Sequence, residues 1–194
     1  RNDPEGMFFG ARLHYAADGI TAGATLLFDR ARADTERTLG TGGTASSRYG
    51  LRGTTIDAYA GYGFAVGKGW QLGPQVGLTH VSVKRGAVSE TGGGAFALDV
   101  ARQTYDATFL TGDLRLAAVP DAKIRPWVAT GLRYRAGGDA ITATGGFVGT
   151  PTDFAVFGVR RDRTLWHAGA GIEATVAPNV SLFVNGDAEF SGSN

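Results

Sequence analysis

The chain has 194 residues, enough for one domain with a sizeable interior, and its charges nearly cancel, 19 basic against 18 acidic. That balance gives no electrostatic case for nucleic acid, and the absence of cysteine excludes disulfides and thiolate metal sites. Glycine accounts for 31 residues and is spread along the whole length, so a disordered linker does not explain it.

The first hairpin is predicted in "MFFGARLHYAADGITAGATLLFDR", where Phe9, Ala11, Leu13 and Tyr15, then Ile20, Ala22, Ala24, Leu26 and Phe28, occupy alternate positions around "ADG". A second lies in "TTIDAYAGYGFAVGKGWQLGPQVGLTH", with Ile56, Ala58, Ala60, Tyr62, Phe64 and Val66, then Trp70, Leu72, Pro74, Val76 and Leu78. The third, "FLTGDLRLAAVPDAKIRPWVATGLRYR", carries Leu110, Gly112, Leu114 and Leu116, then Ile124, Pro126, Val128, Thr130, Leu132 and Tyr134. Just before it, Tyr105, Ala107 and Phe109 run out of step with the comb that begins at Leu110, which predicts a bulge near Phe109. The last hairpin, "LWHAGAGIEATVAPNVSLFVNGDAEF", alternates from Trp166 to Val176 and from Val180 to Phe190. The sum is eight strands in four hairpins and no helix.

Connections alternate in length. Within hairpins they are tight: "ADG", "VGKG", "PDAK" and "APN". Between hairpins they are long, polar and glycine-rich: "ADTERTLGTGGTASSRYGLRG", "RGAVSETGGGAFALDV" and "AGGDAITATGGFVGTPTDFAVFGVRRD". Outer-membrane barrels show this asymmetry, with short periplasmic turns and longer extracellular loops. No run approaches the roughly 20 apolar residues of a membrane helix. A mean hydropathy of −0.07 is still compatible with a barrel, which hides its lipid surface in alternate residues.

No Asp, Glu, Lys or Arg sits on these apolar combs. The opposite phase mixes glycine with Arg12, His14, Asp57, Asp113, Arg115, Arg125, Arg133, His167, Glu173, Asp187 and Glu189, a set suited to lining a wet lumen. A plainer role for the charged residues among them is to pair with one another across strands. Tyr15, Phe28, Phe64, Trp70, Tyr134, Trp166 and Phe190 fall near strand ends of the apolar phase, as interfacial girdles do. The predicted fold is therefore all-β, an antiparallel up-and-down transmembrane β-barrel, with residues 1–194 as a single domain. A soluble sandwich or lipocalin-like barrel is the competing reading. A tight turn comes after the first strand, which inverts the phase of a self-contained eight-stranded barrel. Further strands are accordingly expected at both ends.

"GYGFAVGKGWQLGPQVGLTHVSV", "IRPWVATGLRYR" and "HAGAGIEATVAPNVSLFVNGDAEFSGSN" resemble the C-terminal β-domain of type V autotransporters, over residues from about 7 to 194. The resemblance implies a twelve-stranded barrel in the Gram-negative outer membrane that carries a passenger domain of the same polypeptide to the cell surface. It also implies outer-membrane lipid and the barrel-assembly machinery as partners, with no cofactor. The visible strands would be the fourth to eleventh; the passenger, the pore plug, the first strands and the terminal aromatic strand are not seen.

Catalytic and cofactor motifs are absent. There is no G-x-S-x-G elbow, "GAGIEA" lies within a strand with no helix after it, and "VGKG" lacks the spacing of a phosphate loop. His14 or His167 beside Glu173 is the nearest approach to a metal or acid–base set. Two other functions remain open. One is a small adhesin or porin-like barrel that binds through its loops. The other is a barrel hydrolase, for which Asp34, Glu36, His80, Asp99, Asp106 and Asp153 are the available rim groups.

Overall fold

The computed structural model describes all residues except 1, 41, 120, 139–140, 159–161, 178–179 and 192–194. The predicted alternation becomes eight long strands: β1 (Asn2–Ala17), β2 (Ile20–Thr38), β3 (Thr44–Tyr62), β5 (Trp70–Arg85), β8 (Gln103–Ala118), β9 (Ile124–Gly137), β12 (Thr164–Ala177) and β13 (Val180–Ser191). Each is antiparallel to the next, in chain order, and the two-residue β4 (Phe64–Ala65) adds to β5. The sheet curls through about 210° around its axis, an open half-barrel. Asp18 and Gly19 both have positive φ, 51° and 79°, the signature of the tight turn whose twist matches its flanking strands. Pro120 of "PDAK" and Pro178–Asn179 of "APN" lie outside the described residues.

Register shows what the two faces are made of. One row across all eight strands reads Tyr15, Ala22, Ala60, Val76, Gly112, Leu132, Trp166, Phe190, without a charge or hydrogen-bonding group apart from the aromatic tips. The adjacent row, one residue along, reads Ala16, Thr21, Gly61, Gln75, Asp113, Gly131, His167, Glu189. The first lies on the convex surface and the second on the concave one. Leu114, Ile172 and Val184 on the convex side are 44%, 46% and 73% exposed, so no second protein layer covers them. A sandwich core would bury all three. This rules out the soluble-sandwich reading.

The predicted bulge is present, but on the neighbouring strand. β8 keeps one register with β5 throughout, whereas its pairing with β9 jumps from Phe109–Arg135 to Thr108–Gly137. The extra residue is Ala136. Tyr105, Ala107 and Phe109 are therefore in step with the concave face after all, and their apolar character is a property of that face.

The long links are more ordered than expected. The first is largely strand: β2 and β3 stay paired out to Thr38–Thr44. The other two contribute a second, four-stranded sheet in the order β11 (Asp153–Phe157), β10 (Thr142–Phe147), β7 (Leu98–Val100), β6 (Val88–Ser89). A 3₁₀ turn at Gly94–Phe96 is its one helical piece among the described residues. These segments escape a reading based on apolar combs because neither of their faces meets a continuous apolar phase. They hold most of the buried apolar residues: Ala33, Leu39, Ala45, Val88 and Ala97, with Ala107 from the wall.

Ser46 and Thr91 exchange both backbone hydrogen bonds, 2.9 and 2.8 Å, which pins the 86–102 segment to the free edge of β3. Such a pair has Cα atoms about 5.5 Å apart, within disulfide range. Since the chain has no cysteine of its own, the Ser46→Cys/Thr91→Cys variant is expected to crosslink on mild oxidation, seen as a mass loss of about two hydrogens. Persistent free thiols under the same conditions would mean the segment is not docked.

Candidate functional site: the concave wall

Every charged side chain predicted for the interior lies, by register, on the concave face, and most meet a partner on the neighbouring strand or the next one over. His167 Nε2 stands 2.8 Å from Asp113 Oδ1, close enough for a charge pair although not aligned as a hydrogen bond. Arg125 is bonded to Glu173, its direct register partner. Arg133 reaches Glu189 at 3.3 Å. Asp57 accepts a hydrogen bond from Thr79 at 2.7 Å, and His14 Nδ1 shares one with the Tyr59 hydroxyl at 2.8 Å. Arg115 lies over the Trp127 ring, 4.6 Å from its centroid. Arg12 falls in the row of Thr25 and Asp57, and Asp187 in the row of Arg115, separated from it by Ala129 and Gly169.

Glycine makes two of these contacts possible. Gly131 lies between Asp113 and His167 in the same row, and a Cβ there would sit 2.1 Å from Asp113 Oδ1 and 2.8 Å from His167 Cε1. Only a bare backbone lets the carboxylate and the ring meet over the intervening strand. Gly23 does the same for Tyr59, whose ring would be 2.5 Å from an added Cβ as it reaches toward His14. Sequence reasoning misses Tyr59 and Trp127. Each is an aromatic in the polar phase of its strand, and Trp127, two residues after Arg125, offers that signal.

The aromatic residues expected to form girdles occupy the convex side. Phe9 stacks on Phe28 with ring centroids 5.3 Å apart, and Tyr62 meets Phe64 edge-on at 4.7 Å. Phe64 is carried by β4 opposite Leu72, Trp70 opposite Ala118, and Trp166 opposite both Leu132 and Phe190.

The rim groups considered for hydrolysis are scattered. Asp34 binds Arg48 at 2.6 Å. His80 bonds Thr108 at 3.0 Å on the convex wall, where Asp106 also falls, opposite Ser82. Asp99 and Asp153 flank Gly146 in the second sheet, and Glu36 is in the β2–β3 hairpin opposite Ser46. Among the described residues no three metal-ligating side chains converge.

Above the wall, Arg37 points inward from the β2–β3 hairpin and grips Glu90 through two hydrogen bonds of 3.1 and 2.6 Å. It also donates to the Phe96 carbonyl at 2.9 Å, while Glu90 accepts from the Leu98 backbone N–H at 2.9 Å. The Arg37 hydrogen bond holds the Glu90 carboxyl below its usual range. A depressed carboxyl stabilises the docked segment at pH values above its unfolded-state pKa, and that contribution is lost as pH falls through the folded value. Hydrogen exchange at Leu98 is therefore expected to stay slow at neutral pH and accelerate, after correction for intrinsic rates, only below about pH 4. Glu90→Gln should abolish that pH dependence.

Gly131→Ala is expected to lower stability by about 1–3 kcal/mol, because Asp113 and the Gly112 carbonyl obstruct the added methyl. Gly112→Ala, whose Cβ would meet nothing within 4 Å, serves as the tolerated control. Denaturant midpoints of the two variants in detergent provide the comparison.

The chain resembles known proteins in two ways. The family model for the autotransporter β-domain matches residues 2–187. The translocator domain of autotransporter NalP from Neisseria meningitidis superposes with a TM-score of 0.73 at 15% sequence identity. That superposition covers 98% of this chain but 63% of the NalP chain, so the chain spans under two thirds of its structural relative. No curated protein matches the sequence. Since the family model covers nearly the whole length and the curled single-layer sheet agrees with it, this chain belongs to the autotransporter β-domain family.

Proposed function

We propose that the chain forms the greater part of the wall of an outer-membrane barrel that exports a passenger segment of its own polypeptide to the cell surface. The observation that carries this reading is the pair of adjacent rows, one uncharged and facing out, the next polar and facing in. Lipid suits the first and a hydrated channel the second. The concave charged groups named above form the channel lining, and the convex aromatics form its two interfacial belts.

Curvature supports a closed barrel of the size the family uses. Seven strand-to-strand steps over about 210° make roughly 30° per step, and about twelve such steps complete a circle. The charge of the lining supports transit. Arg125 pairs with Glu173 and Arg133 with Glu189, and Arg12 and Arg115 share rows with Asp57 and Asp187, so no single-sign field traps an unfolded segment of opposite charge. The barrel-assembly machinery is the expected route of insertion into the membrane.

The direct test is a passenger stalled during export in the intact protein, with a photoreactive residue placed in the wall. Probes replacing Gln75 or Arg115 should crosslink to the stalled segment, and probes at Val76 or Leu114 should crosslink to lipid alone. Passenger adducts from the convex positions, or none from the concave ones, would refute the assignment of faces.

A further inference from the structure

The convex face, uncharged through its band, changes abruptly at one row. Arg30 is the register partner of Arg52, and Arg52 that of Lys84, so three cations stand side by side on β2, β3 and β5. Like charges directly opposite one another repel. All three are exposed, and among the described residues none has an ion pair or hydrogen bond. Asp106 lies diagonally from Lys84, opposite Ser82, without forming a pair. Arg48, farther along β3 on the same face, shows the contrasting arrangement, satisfied by Asp34 at 2.6 Å.

Position suggests what the row meets. Arg30 lies ten residues from Ile20 at the tight-turn end of β2, and Arg52 ten from Tyr62 at that end of β3. At about 3.3 Å per residue and a tilt of about 40°, that is roughly 25 Å along the axis, the height of a barrel's apolar band. Arg30 comes one outward step after Phe28, so the cations begin where the outer aromatics end. This is the side of the long connections, hence the outer leaflet.

We propose that Arg30, Arg52 and Lys84 form a binding site for the phosphate groups of the outer-leaflet glycolipid. Neighbouring strands about 4.8 Å apart place two guanidinium forks and an ammonium within reach of one phosphorylated headgroup. Arginine offers phosphate two parallel N–H donors, and the third cation supplies a point charge. The anion removes the mutual repulsion that the row carries when empty. The site rests on the barrel reading above, which places this face in lipid.

The test uses the intact protein in detergent, with bis-phosphorylated lipid A, dephosphorylated lipid A and inorganic phosphate as probes, read as the temperature at which heat-modifiable gel migration is lost. Bis-phosphorylated lipid A is expected to raise the midpoint by about 5–10 °C, and the other two by little. Arg30→Gln/Arg52→Gln/Lys84→Gln should lose the rise while keeping the folded band, and Arg52→Gln alone should lose part of it. An equal rise with dephosphorylated lipid, an equal rise with inorganic phosphate, or an undiminished rise in the triple variant would each overturn the site. If the triple variant does not fold, the single variant and suppression of the wild-type rise by added salt decide. Loss of heat-modifiable migration in the wild-type protein would instead count against the barrel itself.

Discussion

A sheet one layer thick has two surfaces and no interior, so each side chain is stabilised by whatever medium lies on its own side. Here the two media differ. The convex row through Val76 and Leu132 offers water only the tips of Tyr15 and Trp166, and the concave row through Gln75 and His167 offers it a polar or charged group on most strands. Each strand from β2 to β12 along the main sheet is paired on both sides, as crossing a hydrocarbon layer requires, and β1 and β13 are its edge strands. The strand pattern, the curl and the placement of charge all follow from that single partition between solvents.

The concave contacts show how such a wall keeps its register without a core. A strand slipped by one residue would turn Asp113 and His167 outward and Leu114 and Trp166 inward. Cross-strand pairs resist the slip locally, and Gly131 and Gly23 let long side chains bind over an intervening strand, so that three strands are tied by one contact. These ties hold the wall together whatever passes along it. They also set opposite charges against one another, so the residues that hold the wall keep its concave face close to neutral.

The wall was legible in the sequence because lipid on one side enforces a strict period of two. The alternation from Phe9 to Tyr15 and from Val180 to Phe190 could hardly be read otherwise, and the charges from Arg12 to Glu189 share the face opposite that comb. Legibility failed where the apolar medium ends. Thr35, Arg37, Ala45 and Ser47 are strand residues, but with water or a docked segment as neighbours they carry no apolar comb. Tyr59, Phe109 and Trp127 were hidden for a different reason: an aromatic in a membrane strand reads as lipid-facing by habit. Strand phase already sets Tyr59 and Trp127 opposite the apolar comb, and pairing with Gly23, Thr79 and Gly171 places all three on the inner face. The displaced bulge is a third case: the apolar residues Tyr105, Ala107 and Phe109 imitate a slip of phase in β8, which keeps its register, while the extra residue is Ala136 of β9.

The β2–β3 hairpin is much taller than the bilayer requires. Nineteen residues per strand amount to about 60 Å of length, or about 45 Å of height at barrel tilt, against an apolar band of about 25 Å. The two strands remain paired for eight residues beyond the Arg30–Arg52 row, out to Thr38–Thr44, and Ser46 on that overhang carries the bridge to Thr91. What stands above the band is thus a stiff two-stranded spur with the 86–102 segment buttressed against it. The spur carries stiffness outward from the bilayer by backbone pairing alone, so the links leaning on it need no core of their own to hold their place.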